Sequence, residues 1–337
     1  QRHKAEIIFV KYKHFKQALL FKVGSDMKKF RFLYIAAAAL LFAACANEED
    51  GIGNNGPVAA TVQADIVKNA TRATTGNTWS NNDAIGVNVT STGYTIGDNV
   101  KYTTTGDGNF TSDNPIYFAS ATEEVQFSAY YPYQENMDGN GIVNNWNMAE
   151  VKEGEPCPAD FLFARGATAT KSSPQVQFTG DNQFKHCMSM IRLTFRAGNG
   201  INANNAILKN QLKLKGIYKT GSINTQTGEV TVSGDRGIYE SDVDNKSLKN
   251  DVTCTCEFIV FPQSLDNNKM DIELEVAANG TINTYTTSLP SSTNNEFKGG
   301  YLYTYTISIH NTGVVIDKAG ITAWLPSDEG GLDAELQ

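Results

Sequence analysis

The residues of this chain that could do chemistry are few, and their spacing works against most of the reactions they suggest. Beyond residue 45 there are two histidines, His186 and His310, far apart in sequence. His186 sits beside Cys187 in FKHCM, which suggests a thiol nucleophile with its base. On a strand, however, neighbouring side chains point to opposite faces, so the two could not share a proton. A structural histidine at a domain junction is the expectation. Cys254 and Cys256 are one residue apart, not the two of metal or redox motifs, and on a strand they would share a face without bridging each other easily. They and Cys157 and Cys187 are expected to be buried thiols, although an exported chain can also form disulfides. Asp107 and Asp113 in TTGDGNFTSDN hint at calcium, but the spacing does not fit a calcium loop and no closing Glu follows, so a solvated turn is expected. Glu123 and Glu124 as paired carboxylates would diverge in the same way as His186 and Cys187. With no nucleophile elbow, zinc-ligand spacing or phosphate loop, the sequence points to no enzyme, no metal and no cofactor.

The fifth cysteine, Cys45, belongs to a different chemistry. The 26 residues before Met27 read as lying upstream of the true start. From Met27, MKKFR forms a basic head and Phe32 to Ala44 an uncharged apolar run. A membrane span needs about 20 such residues and a secretory signal about 7 to 15, so the run reads as a removable export signal over residues 27–45. Leu41-Phe42-Ala43-Ala44-Cys45 resembles the lipobox of bacterial lipoproteins, in which the cysteine thiol receives the lipid; the alternative is an ordinary Ala-x-Ala signal site with Cys45 as a bystander. Glu48, Glu49 and Asp50 resemble a surface-export tag, although a solvated tether would also be acidic. Nine of the 28 Lys/Arg and two of the 36 Asp/Glu lie at or before Cys45, leaving 19 against 34 and a net charge of −15. Such a chain repels phosphate backbones, which argues against nucleic acid, and it has no basic helix to lie on an anionic membrane. Attachment to the outer membrane is therefore expected through lipid on Cys45.

The elements that would position these residues are strands. KMDIELEV puts Ile272, Leu274 and Val276 on one face and Asp271, Glu273 and Glu275 on the other. YLYTYTISI repeats the alternation, and IGVNV, VQFSAYY, PQVQF, IRLTF and EFIVF read as further short strands between Gly, Asn, Asp and Thr clusters. Long amphipathic helical patterns are missing. The expectation is an all-β chain of antiparallel sandwiches with two domains, 73–188 and 189–337, after a tether and first strand over 46–72.

With little chemistry to follow, the strand motifs carry the reading further. TRATTGNTWSNNDAIGV, from Thr71 to Val87, resembles the fimbrillin family of pilins. The segment Asp160 to Phe195, then GIYKTGSINTQTGEVTV, FIVFPQSL, FKGGYLYTYTISI and GITAW, resemble further family segments in the family's order up to Trp324. The resemblance implies two tandem transthyretin-like β-sandwich domains and export as a surface lipoprotein. It also implies removal of the lipidated N-terminal segment with its first strand by a trypsin-like protease. A strand from another pilin subunit would then fill the open groove. The segment PVAATVQADIVK, Pro57 to Lys68, has the alternation of such a first strand. Of the five arginines beyond Cys45, Arg72 is favoured for cleavage, before Ala73; Arg165, in what reads as an exposed loop, is the rival. The 13 residues after Trp324 form an acidic, Gly-containing tail, which favours a shaft subunit. The alternative is a surface lipoprotein that binds host or bacterial glycans without polymerising, through aromatic side chains stacked on sugar rings; the clearest tyrosine series, Tyr301, Tyr303 and Tyr305, lies on one strand face and fits a core equally well.

Overall fold

The computed structural model describes residues 56–67, 78–152, 157–249, 254–265, 269–290, 295–323 and 334–335. Residues Pro57–Gln337 form one compact unit, built almost wholly of strands, with a single 3-10 turn at Gly180–Asn182 among the described residues. The all-β expectation holds, and each of the short strands read from the sequence is present.

The first hydrophobic cluster is enclosed by an eight-stranded sheet. Its spatial order is Gln175–Phe178, Thr61–Ala64, Asn109–Thr111, Val100–Thr104, Ala84–Val89, Glu124–Tyr131, Leu162–Thr170 and Lys185–His186. Inward residues from across this sheet, among them Val62, Val87, Phe110, Phe127 and Phe178, meet in one cluster, so the sheet curls around it. The alternation that predicted the strands also predicts the burial. Val125 and Phe127 are fully buried, whereas Glu124 and Gln126 are exposed.

The second cluster lies between two sheets. One has the order Ala334–Glu335, Gly313–Ala323, Tyr301–His310, Ser189–Ala197, Cys254–Val260 and Ala149–Glu150. The other runs Val230–Asp242, Ile207–Asn224, Met270–Ala278 and Thr281–Leu289, with Ile142–Asn147 also paired to Ile207–Asn224. Ile272, Leu274 and Val276 from one sheet and Leu193, Phe195 and Tyr305 from the other share this core.

Two features differ from the expectation. Each half contains one parallel pair within otherwise antiparallel sheets: Thr61–Ala64 beside Gln175–Phe178, and Ser189–Ala197 beside Tyr301–His310. Both pairs join strands distant in sequence, as parallel pairing requires. In addition, the cores do not follow chain order. Val143, Trp146, Met148 and Phe161 precede residue 188 yet pack in the second cluster.

The seat of the first strand and the candidate chemical residues

The segment from Val58 to Val67 is an interior strand rather than an appendage. Val58 and Ala59 pair with Phe118 and Tyr117. Thr61 to Ala64 then run parallel to Gln175 to Phe178 on one side, while Val62 and Gln63 pair antiparallel with Phe110 and Asn109 on the other. Ile66 makes a further parallel bridge to Phe184. Its inward side chains, Ala60, Val62, Ala64 and Ile66, are buried, and its outward Thr61 and Asp65 are exposed.

The backbone groups of this segment are met by groups from distant parts of the chain. The amide of Ala60 donates to Ile116 O at 2.8 Å, that of Ala64 to Gly108 O at 2.8 Å, and that of Asp65 to Phe178 O at 3.0 Å. Val67 N donates to Phe184 O at 3.0 Å, and Phe184 N returns a bond to Asp65 O at 2.9 Å. Side chains reach in as well. Tyr102 donates its hydroxyl to Ala60 O at 3.2 Å, and the Trp79 indole N–H donates to Ala64 O at 2.7 Å. Gly108 approaches so closely, at φ +81°, that a Cβ there would lie 3.0 Å from Ala64 O.

These contacts define what the seat would become without its strand. Neighbouring strands lie about 4.8 Å apart, so loss of Thr61–Ala64 would leave a gap of about 10 Å between Asn109–Thr111 and Gln175–Phe178. Two sheet edges with unpaired N–H and C=O groups would face each other across a slot walled by Phe110, Phe118, Val176 and Phe178. Val62 and Ile66 would each forfeit about 1.5–3 kcal/mol of burial. The seat is filled at every second position by a small or β-branched residue, Ala60, Val62, Ala64 and Ile66.

Cys45, Arg72 and Ala73 lie outside the described residues. The other four arginines beyond Cys45 do not. Arg165 is not in a loop, as its sequence suggested, but in the strand Leu162–Thr170, which is paired with Glu124–Tyr131. Leu162, Phe163 and Ala164 are buried in succession, Ala167 and Ala169 continue the strand, and Gly166 sits at a bulge between Arg165 and Ala167. Arg192 and Arg196 lie in the strand Ser189–Ala197 and pair with Glu257 and Asp317. Arg236 lies in Val230–Asp242 and donates to the carbonyls of Gly216 and Ser264.

The residues that suggested catalysis have structural partners. His186 is buried, with Nδ1 2.9 Å from Asp160 Oδ1. Nothing in the sequence pointed to Asp160, 26 positions away. Cys187 Sγ instead contacts Lys185 O at 3.8 Å. Burial pushes the Cys157 thiol up to about 11 and those of Cys187 and Cys254 up to about 12; all four cysteines in the described residues are free. Such thiols stay protonated and are poor nucleophiles. Asp107 closes a tight turn, accepting from Thr104 Oγ1 at 3.2 Å and from Asn109 N at 3.1 Å. Glu123 clamps Tyr94 and Thr95, while the neighbouring Glu124 begins a strand and is exposed. Among the described residues, no group of three or more His, Cys, Asp or Glu is placed to hold a metal. Tyr303 and Tyr305 are core residues, with hydroxyls bonded to Lys298 N and Pro290 O, so their faces are not open to sugar rings.

Comparison with known proteins agrees with a structural role. Over 325 residues the chain is 27% identical to Fim1C of Bacteroides uniformis, named as a candidate fimbrium subunit, covering 90% of this chain and 98% of that protein. A crystal structure of a candidate cell adhesion protein from Bacteroides ovatus superposes with a TM-score of 0.60 at 25% identity, covering 81% of this chain and all of the other. A further candidate cell adhesion protein, from Bacteroides uniformis, has the same fold, with a TM-score of 0.60 at 23% identity and the same coverage. The sequence pattern of the fimbrillin-like family matches residues 71–324, most of the chain and everything from just before Arg72 to Trp324, and the protein belongs to that family.

Proposed function

We propose that this protein is a subunit of a surface pilus whose assembly is switched on by loss of its own first strand. In this reading the chain is exported as a lipoprotein through Cys45 and held at the outer membrane. A trypsin-like protease then cuts between Arg72 and Ala73. The segment carrying Val58–Val67 leaves, and a strand of another pilin subunit takes its seat. The chain is read as tandem transthyretin-like domains, 73–188 and 189–337, with the strands from Ile142 to Phe161 of the first contributing to the second hydrophobic cluster, and as serving adhesion at the cell surface.

The observation that carries this reading is that Thr61–Ala64 is bonded on both sides within its sheet. An edge strand could be lost with little consequence. Loss of an interior strand exposes two edges and a hydrophobic slot at once, and a donated strand repairs both. The fimbrium and adhesion names of the relatives support the same role. The paired state of Arg165, Arg192, Arg196 and Arg236 favours Arg72 as the cut site, because a protease needs an extended, unpaired segment.

Limited trypsin digestion of the full chain, with sequencing of the new N-terminus and light scattering of the products, tests this. The expected result is an early cut after Arg72, followed by oligomers that grow with protein concentration. Arg72→Gln should block both. A chain cut at Arg72 that stays monomeric at all concentrations would reject strand exchange between copies. A first cut at Arg165 would move the processing site.

A further inference from the structure

A cleft of about 810 Å³ lies on the outer face of the first sheet. Two of its lining residues, Ser128 and Arg165, are placed by register. Asn88, Ser128 and Arg165 are direct cross-strand partners on three adjacent strands, so their side chains form a row on one face. Its far wall is the turn Thr225–Gly228 of the long hairpin, held to the row where Asn88 Nδ2 donates to Thr225 O at 3.2 Å.

Three observations make this a built site rather than a surface irregularity. First, the bulge between Arg165 and Ala167 breaks the strand's alternation at Arg165, the residue that lines the cleft. Second, Lys185 lines it as well, and neither cation forms an ion pair among the described residues; Asp181 is the single acid on the wall. Third, Ser128 is 1% exposed, lines the cleft, and its hydroxyl has no hydrogen-bond partner in the protein. A buried hydroxyl left without a partner is destabilising, and a bound polar group would recover that loss.

The rest of the lining is mostly amides and hydroxyls, including Gln126, Gln183 and Thr227, with the ring of Phe163 at one side. Amides and hydroxyls both donate and accept, which suits a ligand rich in hydroxyl groups. The guanidinium fork of Arg165, with Lys185 nearby, suits one carboxylate. We propose that this cleft binds an acidic saccharide, with a uronate carboxylate on Arg165 and Lys185 and a sugar hydroxyl on Ser128. The volume is in the range of small-molecule sites.

Calorimetric titration of the full, uncut chain with trigalacturonate tests this without involving processing or assembly. Saturable binding is expected, with neutral trigalactose at least 10-fold weaker. Arg165→Gln and Lys185→Gln should each weaken trigalacturonate at least 10-fold at unchanged circular dichroism. Ser128→Ala should weaken it several-fold while leaving the denaturation midpoint unchanged or raised, which a purely structural serine would not do. Absence of saturable binding, equal affinity for the neutral trisaccharide, displacement by an equal concentration of inorganic phosphate, or wild-type affinity in Arg165→Gln or Ser128→Ala would each overturn the assignment.

Discussion

Trp79 donates its indole N–H to the carbonyl of Ala64 at 2.7 Å, so a residue that follows Arg72 in sequence holds one that precedes it. The same ring packs edge-on against Phe110, Tyr131 and Phe184, with centroids 5.0 to 5.5 Å apart. Trp79 thus joins the first strand to both the neighbouring strand and the far side of the seat. Trp79→Phe would retain much of the ring packing but leave the buried Ala64 carbonyl without this donor. It should cost about 1–3 kcal/mol in urea denaturation. In protein cut at Arg72, it should also speed the departure of Val58–Val67, followed by size exclusion and mass spectrometry. An unchanged midpoint and release rate would mean that the indole bond does not latch the strand.

This latch shows what could and could not be read in advance. The alternation of Val58, Ala60, Val62 and Ala64 marked a strand, and the motif around Trp79 marked the family. That Trp79 folds back onto Ala64 is a tertiary fact with no local signature. The longest strand was legible only as a family segment for a physical reason. In Ile207–Asn224, Leu212 and Leu214 are buried at even positions, but after Gly216 the buried residues are Ile217, Gly221 and Ile223. A bulge between Lys215 and Ile217 shifts the phase by one residue, so a period-two reading fails across it. Gly216, at φ +80° with Lys269 O 2.6 Å from where a Cβ would stand, is the residue that permits the shift. The Asn88–Ser128–Arg165 row was invisible for a related reason. Its three residues come together only through the pairing of strands whose register is set elsewhere.

The cysteines give a second test. Burial raises the thiols of Cys187 and Cys254 to about 12 and that of Cys157 to about 11, well above neutral pH. Cys256 is raised as well, chiefly by burial and despite Lys246 Nζ lying 3.4 Å from its sulfur. Alkylation with iodoacetamide at pH 8 should therefore be slow at all four in the native protein and fast after unfolding. Mass spectrometry should find four alkylated cysteines beyond Cys45 without prior reduction. Rapid modification of Cys256 in the native state would show that the lysine ammonium outweighs burial there.

Glu123 provides a test with pH. Its carboxylate accepts from Thr95 Oγ1 at 2.7 Å, Tyr94 N at 2.8 Å and Thr95 N at 3.1 Å, fixing a loop that holds Tyr94 and Ile96 out into solvent. The Thr95 hydroxyl bond is the largest cause holding the carboxyl below its ordinary value of 4.5. A lowered folded value means that the charged form supports the fold. The contribution is complete above 4.5 and is lost as pH falls through the lower, folded value. Hydrogen exchange at the Thr95 amide should stay protected at neutral pH and lose protection well below pH 4.5, relative to amides of the Glu124–Tyr131 strand. Glu123→Gln should lose that pH dependence. Protection that persists in acid would show that the loop is held by other contacts.

Gly86 explains why the Asp-x-Ile-Gly-Val motif needs its glycine. Tyr130 lies across it on the neighbouring strand, with ring carbon Cε1 2.2 Å from where a Cβ would be and Asn99 Oδ1 at 2.7 Å. The ring has no room to yield. Its hydroxyl donates to Asn99 Oδ1 at 2.6 Å and accepts from Gln134 N at 3.1 Å, and the side chain is fully buried. Gly86→Ala must therefore displace either the ring with its hydrogen bonds or the backbone of Ala84–Val89. Overpacking of this kind costs about 1–3 kcal/mol, and breaking the Tyr130 bonds would add to it. Gly139 is the control, because a Cβ there meets nothing within 4 Å. Thermal denaturation should show a clear loss for Gly86→Ala and almost none for Gly139→Ala. Pairing Gly86→Ala with Tyr130→Leu separates the two causes. If the clash with the ring dominates, the double variant should be no less stable than Tyr130→Leu alone; if the strand backbone itself requires glycine, the two losses should add.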